Sequence, residues 1–333
     1  MNYIGSKFKL SDFIKSTIHS VVGNDLSDKV FCDIFAGTGI IGRKFKSDVR
    51  TVIANDSEYY SYVLNKHYIE NHQPIPNKEK YIDILNNIEP IEGFIYNNYC
   101  YGSGSNRQYF SDNNGKKIDA IRKQIETWKT NNEIIDSIYF YLLTGLLEAA
   151  DKVANTASVY GAFLKHLKKT AQKEIVIKPA ELIINNNEHK VFNIDSNILI
   201  KQIKGDILYL DPPYNARQYG ANYHLLNTIA KYDVFEPRGK TGLRDYEKSL
   251  YCSKTSVANV FEDLIKHADF NFIFLSYNNE GLMSVNQVRT IMSKYGKYDL
   301  MSVKYNRFRA DKEENRKHKA SKTEEFLHIL EKH

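Results

Sequence analysis

Val30-Phe31-Cys32-Asp33-Ile34-Phe35 runs straight into Ala36-Gly37-Thr38-Gly39-Ile40-Ile41-Gly42, and this stretch decides the fold. Its first half is short, apolar and suited to a buried strand. Its second half is a glycine turn, and a helix is expected from Ile40 onward. A second strand, Thr51 to Asn55, stops at Asp56, so the first sixty or so residues read as a strand-helix-strand unit of the doubly wound kind. Further along, Asp206 to Leu210 reads as another strand, closed by Asp211-Pro212-Pro213-Tyr214 because two prolines cannot continue a central ladder. Asn271 to Ser276 is a further buried strand, with a helix expected from near Ser284 to Gly296. Leu300 to Phe308 and Glu325 to Leu330 read as edge strands around a charged loop, Ala310 to Thr323, expected to be mobile.

Consecutive βα units need only about 30 residues each. About 155 residues separate Asp56 from Asp211, so a large piece is inserted between the two strands. The expected organisation is therefore a catalytic and cofactor-binding domain from 1–60 plus 190–333, with an insert at 61–189 that contacts the substrate. The insert carries an apolar helix around Ile134 to Val153 and a basic stretch that includes Lys168 and Lys169.

Composition narrows the class. With 333 residues, 42% of them hydrophobic, the chain can bury a real core. No stretch approaches the roughly 18 apolar residues of a membrane span, and the N-terminus lacks the layout of a secretory signal, so a cytoplasmic protein that does not engage a membrane is expected. The three cysteines, Cys32, Cys100 and Cys252, are odd in number and far apart, which argues against a disulfide framework or a structural zinc site. A net charge of +6 fits a polyanionic partner without requiring one.

Gly37-Thr38-Gly39-Ile40-Ile41-Gly42 satisfies the spacing of a dinucleotide-binding turn, with Asp56 placed as a ribose-binding acid. The same physics serves any adenosine-bearing cofactor: glycines let the backbone approach it, and a carboxylate after the next strand accepts two ribose hydroxyls. S-adenosylmethionine and a nicotinamide dinucleotide both fit at this point. The tetrad is more specific. An exocyclic amine on a nucleobase is a poor nucleophile because its lone pair is delocalised into the ring. Two acceptors on its N–H groups favour rehybridisation towards an electrophilic methyl. Asp211 supplies one and the Pro212 carbonyl, held by the fixed φ of proline, a second, while Tyr214 offers a face on which a base flipped from a duplex can stack. Arg217, just beyond the tetrad, is a candidate for a phosphate near the target base, and Lys168 and Lys169 are candidates for phosphates elsewhere.

These motifs resemble those of the Dam-like, D12 class adenine-N6 DNA methyltransferases of restriction-modification systems. Tyr3-Ile4-Gly5-Ser6-Lys7 is similar to the family's N-terminal cofactor motif, Asp33 to Gly39 to its glycine motif, and Asp211-Pro212-Pro213-Tyr214 to its catalytic motif. The resemblance implies a Rossmann-like α/β methyltransferase fold with a target-recognition region inserted between the glycine and catalytic motifs. It also implies S-adenosylmethionine as cofactor and double-stranded DNA as substrate. By the same resemblance Tyr3, Lys7, Asp33, Phe35, Gly37, Gly39 and Asp56 belong to the cofactor pocket, and Asp195, in Phe192-Asn193-Ile194-Asp195, meets the cofactor's adenine amine. Core and insert account for the chain, so any cognate restriction endonuclease is expected on a separate protein.

Other readings compete. Cytosine-C5 methylation needs a thiolate, usually after a proline, and none of the three cysteines follows one. Cytosine-N4 methylation shares the tetrad's logic, and the resemblance alone favours adenine. An rRNA base methyltransferase shares the tetrad too, although the insert argues against it. A DNA-binding module without turnover is the non-enzymatic alternative, and the presence of Gly37, Gly39, Asp56 and Asp211 argues against that.

Overall fold

A computed structural model describes residues 7–306 and 322–333 of the chain. Its centre is a seven-stranded sheet: β1 (Val30–Asp33), β2 (Thr51–Asn55), β3 (Lys190–Phe192), β4 (Lys204–Leu210), β5 (Asp269–Asn278), β6 (Gly296–Asn306) and β7 (Lys322–Lys332). The strands lie in the order β3-β2-β1-β4-β5-β7-β6. The first five are parallel, while β7 runs antiparallel to both β5 and β6. The order reverses between β1 and β4, and in open α/β sheets that switch point marks the ligand crevice at the carboxyl ends of the strands.

The local expectations at the glycine turn hold. The helix after it is Ile40–Phe45, and Thr51–Asn55 is the second strand. The strand before Asp211 is Lys204–Leu210, extended by two residues at its start. The helix expected from Ser284 is Val285–Met292, with Ser284 and Gln287 forming a reciprocal capping box; Gly296 begins β6 instead of ending the helix. Two corrections concern the sheet. β3, at the opposite edge, has only three residues, too few for a periodicity to be read from the sequence. Of the two expected edge strands only β6 lies at an edge, because β7 is inserted between β5 and β6. Its residues Glu325, Leu327, His328, Ile329 and Leu330 are all buried, as an interior strand requires. Most of the expected loop at 310–323 and the end of the strand expected to reach residue 308 lie outside the described residues.

Apolar side chains close both faces of the sheet. Phe31 of β1 stacks on Phe45 at 4.3 Å between ring centroids. On the other side Cys32, Ile34, Leu208, Leu210, Ile273 and Leu275 pack with Phe261, Leu264, Val288 and Met292 of two helices. Cys32, Cys100 and Cys252 are all buried free thiols.

The chain divides into two compact units. One contains the whole sheet; the other comprises Lys66–Ile184 and Tyr219–Glu247. Within the second unit the late segment is stitched to the early one by buried polar bonds. Arg122, in the helix Asp112–Thr130, donates to the carbonyls of Ile229 and Ala230. Asp119 accepts from Tyr232 and from the Ile95 and Tyr96 amides. From the sequence, 219–247 falls with the catalytic part, since nothing local in that segment announces these distant partners.

Candidate active site

At the end of β1 the chain turns through two left-handed glycines, Gly37 at φ 52° and Gly39 at φ 74°, a region that side chains with a Cβ rarely adopt. Three bonds fix the turn. Gly39 N donates to Ala36 O at 2.8 Å, Ala36 N to Asn55 O at 2.8 Å, and Asn65 Nδ2 to Gly37 O at 3.0 Å. The Gly37 amide then donates to Asp56 Oδ2 at 2.8 Å, while Glu58 N donates to Asp56 Oδ1 at 2.8 Å. Glycine turn and acid are thus one rigid piece, and a carboxylate has lone pairs to spare beyond those two bonds.

Asn55 and Asn65 were missed in the sequence. Asn55 Nδ2 bridges the carbonyls of Ile34 and Ile194, and its Oδ1 receives Ile194 N, so it ties the chain after β1 to the chain after β3. The available signal was an amide side chain ending an otherwise apolar strand.

Asp33 closes β1 and is 1% exposed, and its Oδ1 has no hydrogen-bond partner among the described residues. Burial, followed by the nearby charges of Asp211 and Asp56, pushes its carboxyl well above the usual range; the Phe35 and Gly42 amides pull partly the other way. Asp56 is pushed up to about 6 by burial against the pull of the Glu58 and Gly37 amides. Phe35 lies edge-on to Tyr251 at 5.0 Å. Asp195 is exposed and caps the helix Ser196–Leu199, its Oδ1 accepting from the Asn197 and Ile198 amides.

The tetrad follows β4 at the same edge of the sheet. Pro212 is buried, and Tyr214 is partly buried, lying edge-on to Tyr277 at 6.5 Å. Asp211 is pushed up to about 6 by burial, with Lys7 pulling it down and Glu325 pushing it up. Lys7, which the resemblance implies for the cofactor pocket, is held by two acids. Its ammonium lies 3.1 Å from Asp211 Oδ1 and 2.7 Å from Glu325 Oε1, so its partners are the tetrad acid and β7. Tyr3 lies outside the described residues. Arg217 is exposed. In the second unit Lys169 is exposed, whereas Lys168 donates its ammonium to Thr156 O at 2.7 Å.

A sheet of this strand order, with a glycine turn, a following acid and an Asp-Pro-Pro-Tyr tetrad at its carboxyl edge, is the Rossmann-like fold of S-adenosylmethionine-dependent methyltransferases. The chain belongs to the D12 class N6 adenine-specific DNA methyltransferase family, whose model matches residues 3–291. It is 64% identical to Type II methyltransferase M.NlaIII of Neisseria lactamica, covering 100% of this chain and 99% of that one. It is 38% identical to Type II methyltransferase M.CviAII of Paramecium bursaria Chlorella virus 1, covering 93% of each chain. It is also 40% identical to Type II methyltransferase M.FokI of Planomicrobium okeanokoites, where it spans all of its own length but 53% of the relative's. The chain is accordingly an adenine-N6 DNA methyltransferase with S-adenosylmethionine as methyl donor, which settles the choice against the cytosine-N4, rRNA and non-enzymatic readings. No helix among the described residues is long and apolar enough to cross a membrane.

Proposed function

We propose that the cofactor and a flipped adenine meet at the carboxyl edge of β1, β2 and β4, with Asp33, Phe35, Gly37, Gly39 and Asp56 around the cofactor and Asp211, Pro212 and Tyr214 around the base. One observation carries this reading: β1 lies between β2 and β4, with Asp33 paired to Ala54 on one side and to Tyr209 on the other, so the candidate cofactor acid Asp56 and the candidate catalytic acid Asp211 each stand two residues beyond it at the same carboxyl edge. Three carboxyls crowded out of water favour a cationic ligand, and S-adenosylmethionine carries both a sulfonium and an ammonium. The donor set fits it. Asp56 keeps acceptor capacity for ribose hydroxyls, and Asp33 Oδ1 is a buried acceptor awaiting a donor. Asp195 borders the same edge after β3 and is assigned to the adenine amine of the cofactor.

The bound cofactor supplies an electrophilic methyl on sulfur; the remaining work falls to the chain. Asp211 and the Pro212 carbonyl accept the two N–H bonds of the adenine amine and localise its lone pair. Tyr214 stacks on the extruded base and offsets part of the few kcal/mol that unpairing costs. Arg217 and Lys169 are exposed cations suited to phosphates, whereas Lys168 would first have to release the Thr156 carbonyl. Sequence choice is assigned to the inserted region expected at 61–189, together with the segment Tyr219–Glu247 that clusters with it. Like the Type II relatives, the protein is read as the modification half of a restriction-modification system, acting on cytoplasmic DNA beside a separate endonuclease.

Two outcomes test this. Tyr214→Ala should weaken capture of the base, and a mismatch opposite the target adenine should partly restore its single-turnover rate, because extrusion then costs less. A mismatch with no effect on Tyr214→Ala would sink the stacking role. Separately, ribose hydroxyls need an ionised Asp56, and its carboxyl titrates at about 6 in the free protein, so cofactor affinity should be full above that pH and fall below it. Calorimetry between pH 5.5 and 7.5 should show Asp56→Asn binding more weakly and with a shallower pH slope. A variant that kept the parent's affinity and slope would move the ribose elsewhere.

A further inference from the structure

The tetrad acid sits in a chain of charges whose far member, Glu325, lies in none of the family's sequence motifs quoted above. Lys7 is 7% exposed and bonds Asp211 and Glu325 at once. Glu325, 2% exposed, accepts on the same oxygen, Oε1, from the Lys7 ammonium at 2.7 Å and from the Ser276 hydroxyl at 2.7 Å. A structural ion pair needs one carboxylate per lysine. Here two compete for one ammonium, and the second is held in place by a hydroxyl donor from the neighbouring strand.

The antiparallel course of β7 makes this arrangement available. A parallel strand would bring its end to the carboxyl edge of β4 and β5, whereas β7 brings its start there, with Glu325 opposite Asn278 in the ladder. Ser276 lies two residues earlier on β5, near the end of that strand.

We propose that Glu325 is a positioning residue for methyl transfer: with Ser276 it anchors the Lys7 ammonium against Asp211 and so fixes the direction of the carboxylate. The proposal rests on Asp211 being the acceptor of the adenine amine. Among the described residues, the charged and titratable groups around Asp211 are Lys7 from the N-terminal segment, Asp33 from β1, Tyr209 from β4, Tyr214 from the tetrad and Glu325 from β7; Glu280, after β5, acts on Tyr214. Burial alone would lower the ammonium's pKa, yet Asp211 and Glu325 push it well above its ordinary value, so Lys7 stays charged throughout the working range.

The signs follow. Glu325 pushes the Asp211 carboxyl up and Lys7 pulls it down. Removing the Glu325 charge while keeping its shape should make Asp211 ionise more readily, and removing the Lys7 charge should do the reverse. The test is the single-turnover methylation rate from pH 5 to 8, with enzyme saturated in S-adenosylmethionine and in excess over DNA, for the parent, Glu325→Gln, Lys7→Met and Asp211→Asn. The acid limb is expected to move down by about one pH unit in Glu325→Gln and up by about as much in Lys7→Met. Cofactor affinity measured by calorimetry should stay within about twofold in Glu325→Gln. Lys7→Met risks misfolding because it strands the buried Glu325 carboxylate beside the partly buried Asp211, so Glu325→Gln, which keeps an oxygen for Ser276, carries the decision. A uniform loss of rate with the limb unmoved in Glu325→Gln would reduce Glu325 to a packing role and overturn the proposal. Near-parental turnover by Asp211→Asn would instead remove the reading on which it rests.

Discussion

Asp211→Asn is expected to lower the rate of methyl transfer by roughly 10²–10³-fold, the cost found for removing one preorganised partner of a developing charge, while cofactor affinity changes little. The amine nitrogen is nearly planar in the ground state and pyramidal as it attacks, so its bond to the carboxylate strengthens along the reaction path. An interaction of that kind lowers kcat and kcat/KM together. Asparagine preserves the volume but replaces one acceptor oxygen with a donor, and it leaves Lys7 with Glu325 as its remaining carboxylate at that site. Because Asp211 contacts the base and Asp56 the ribose, calorimetric titration with S-adenosylmethionine should be close to the parent's. A rate within about threefold of the parent would mean that the tetrad does not supply the acceptor.

Gly39→Val should abolish cofactor binding within the range of ordinary calorimetry. Gly39 sits at φ 74°, where a β-branched side chain costs on the order of 1–3 kcal/mol of strain, and its amide closes the turn onto Ala36. The turn is also welded to Asp56 through Gly37, so a shift of the backbone is passed to the acid that faces the ribose. Gly39→Asn separates the two causes, because asparagine tolerates the left-handed region. It should melt within a few degrees of the parent yet still bind the cofactor poorly, as its side chain crowds the crevice. If Gly39→Asn bound normally, the effect of valine would be strain alone.

What the sequence could and could not disclose follows from range. The glycine turn, Asp56 and the tetrad are local signals, each built from residue types whose backbone or carboxylate chemistry is needed on the spot, and the expected strands and helix bounds around them agree with the structure to within a few residues. Strand order is different in kind. That β7 lies between β5 and β6 is decided by burial on both faces, and the hint was the nearly continuous apolar run from Phe326 to Leu330, in which His328 is the exception. Lys7 was assigned by motif to the cofactor, and only the three-dimensional path of β7 brings it to Asp211 and Glu325 together. The segment 219–247 joined the second unit through Arg122 and Asp119, whose spacing to their partners carries no periodic signature.

The contact between Lys7 and Glu325 spans 318 positions of the chain. Closing a flexible loop of that length costs on the order of 5 kcal/mol in chain entropy, which must be offset by contacts made along the way. The short-range pairing of β1 with β2 can form early, but the counter-charge of the catalytic acid arrives only when the antiparallel strand slots between its two neighbours. In a partly folded chain Asp211 would lie buried or solvated without its ammonium clamp. Competence for methyl transfer is therefore a late, cooperative property of the completed sheet, and folding is expected to be slowed by this long-range closure more than by any local step.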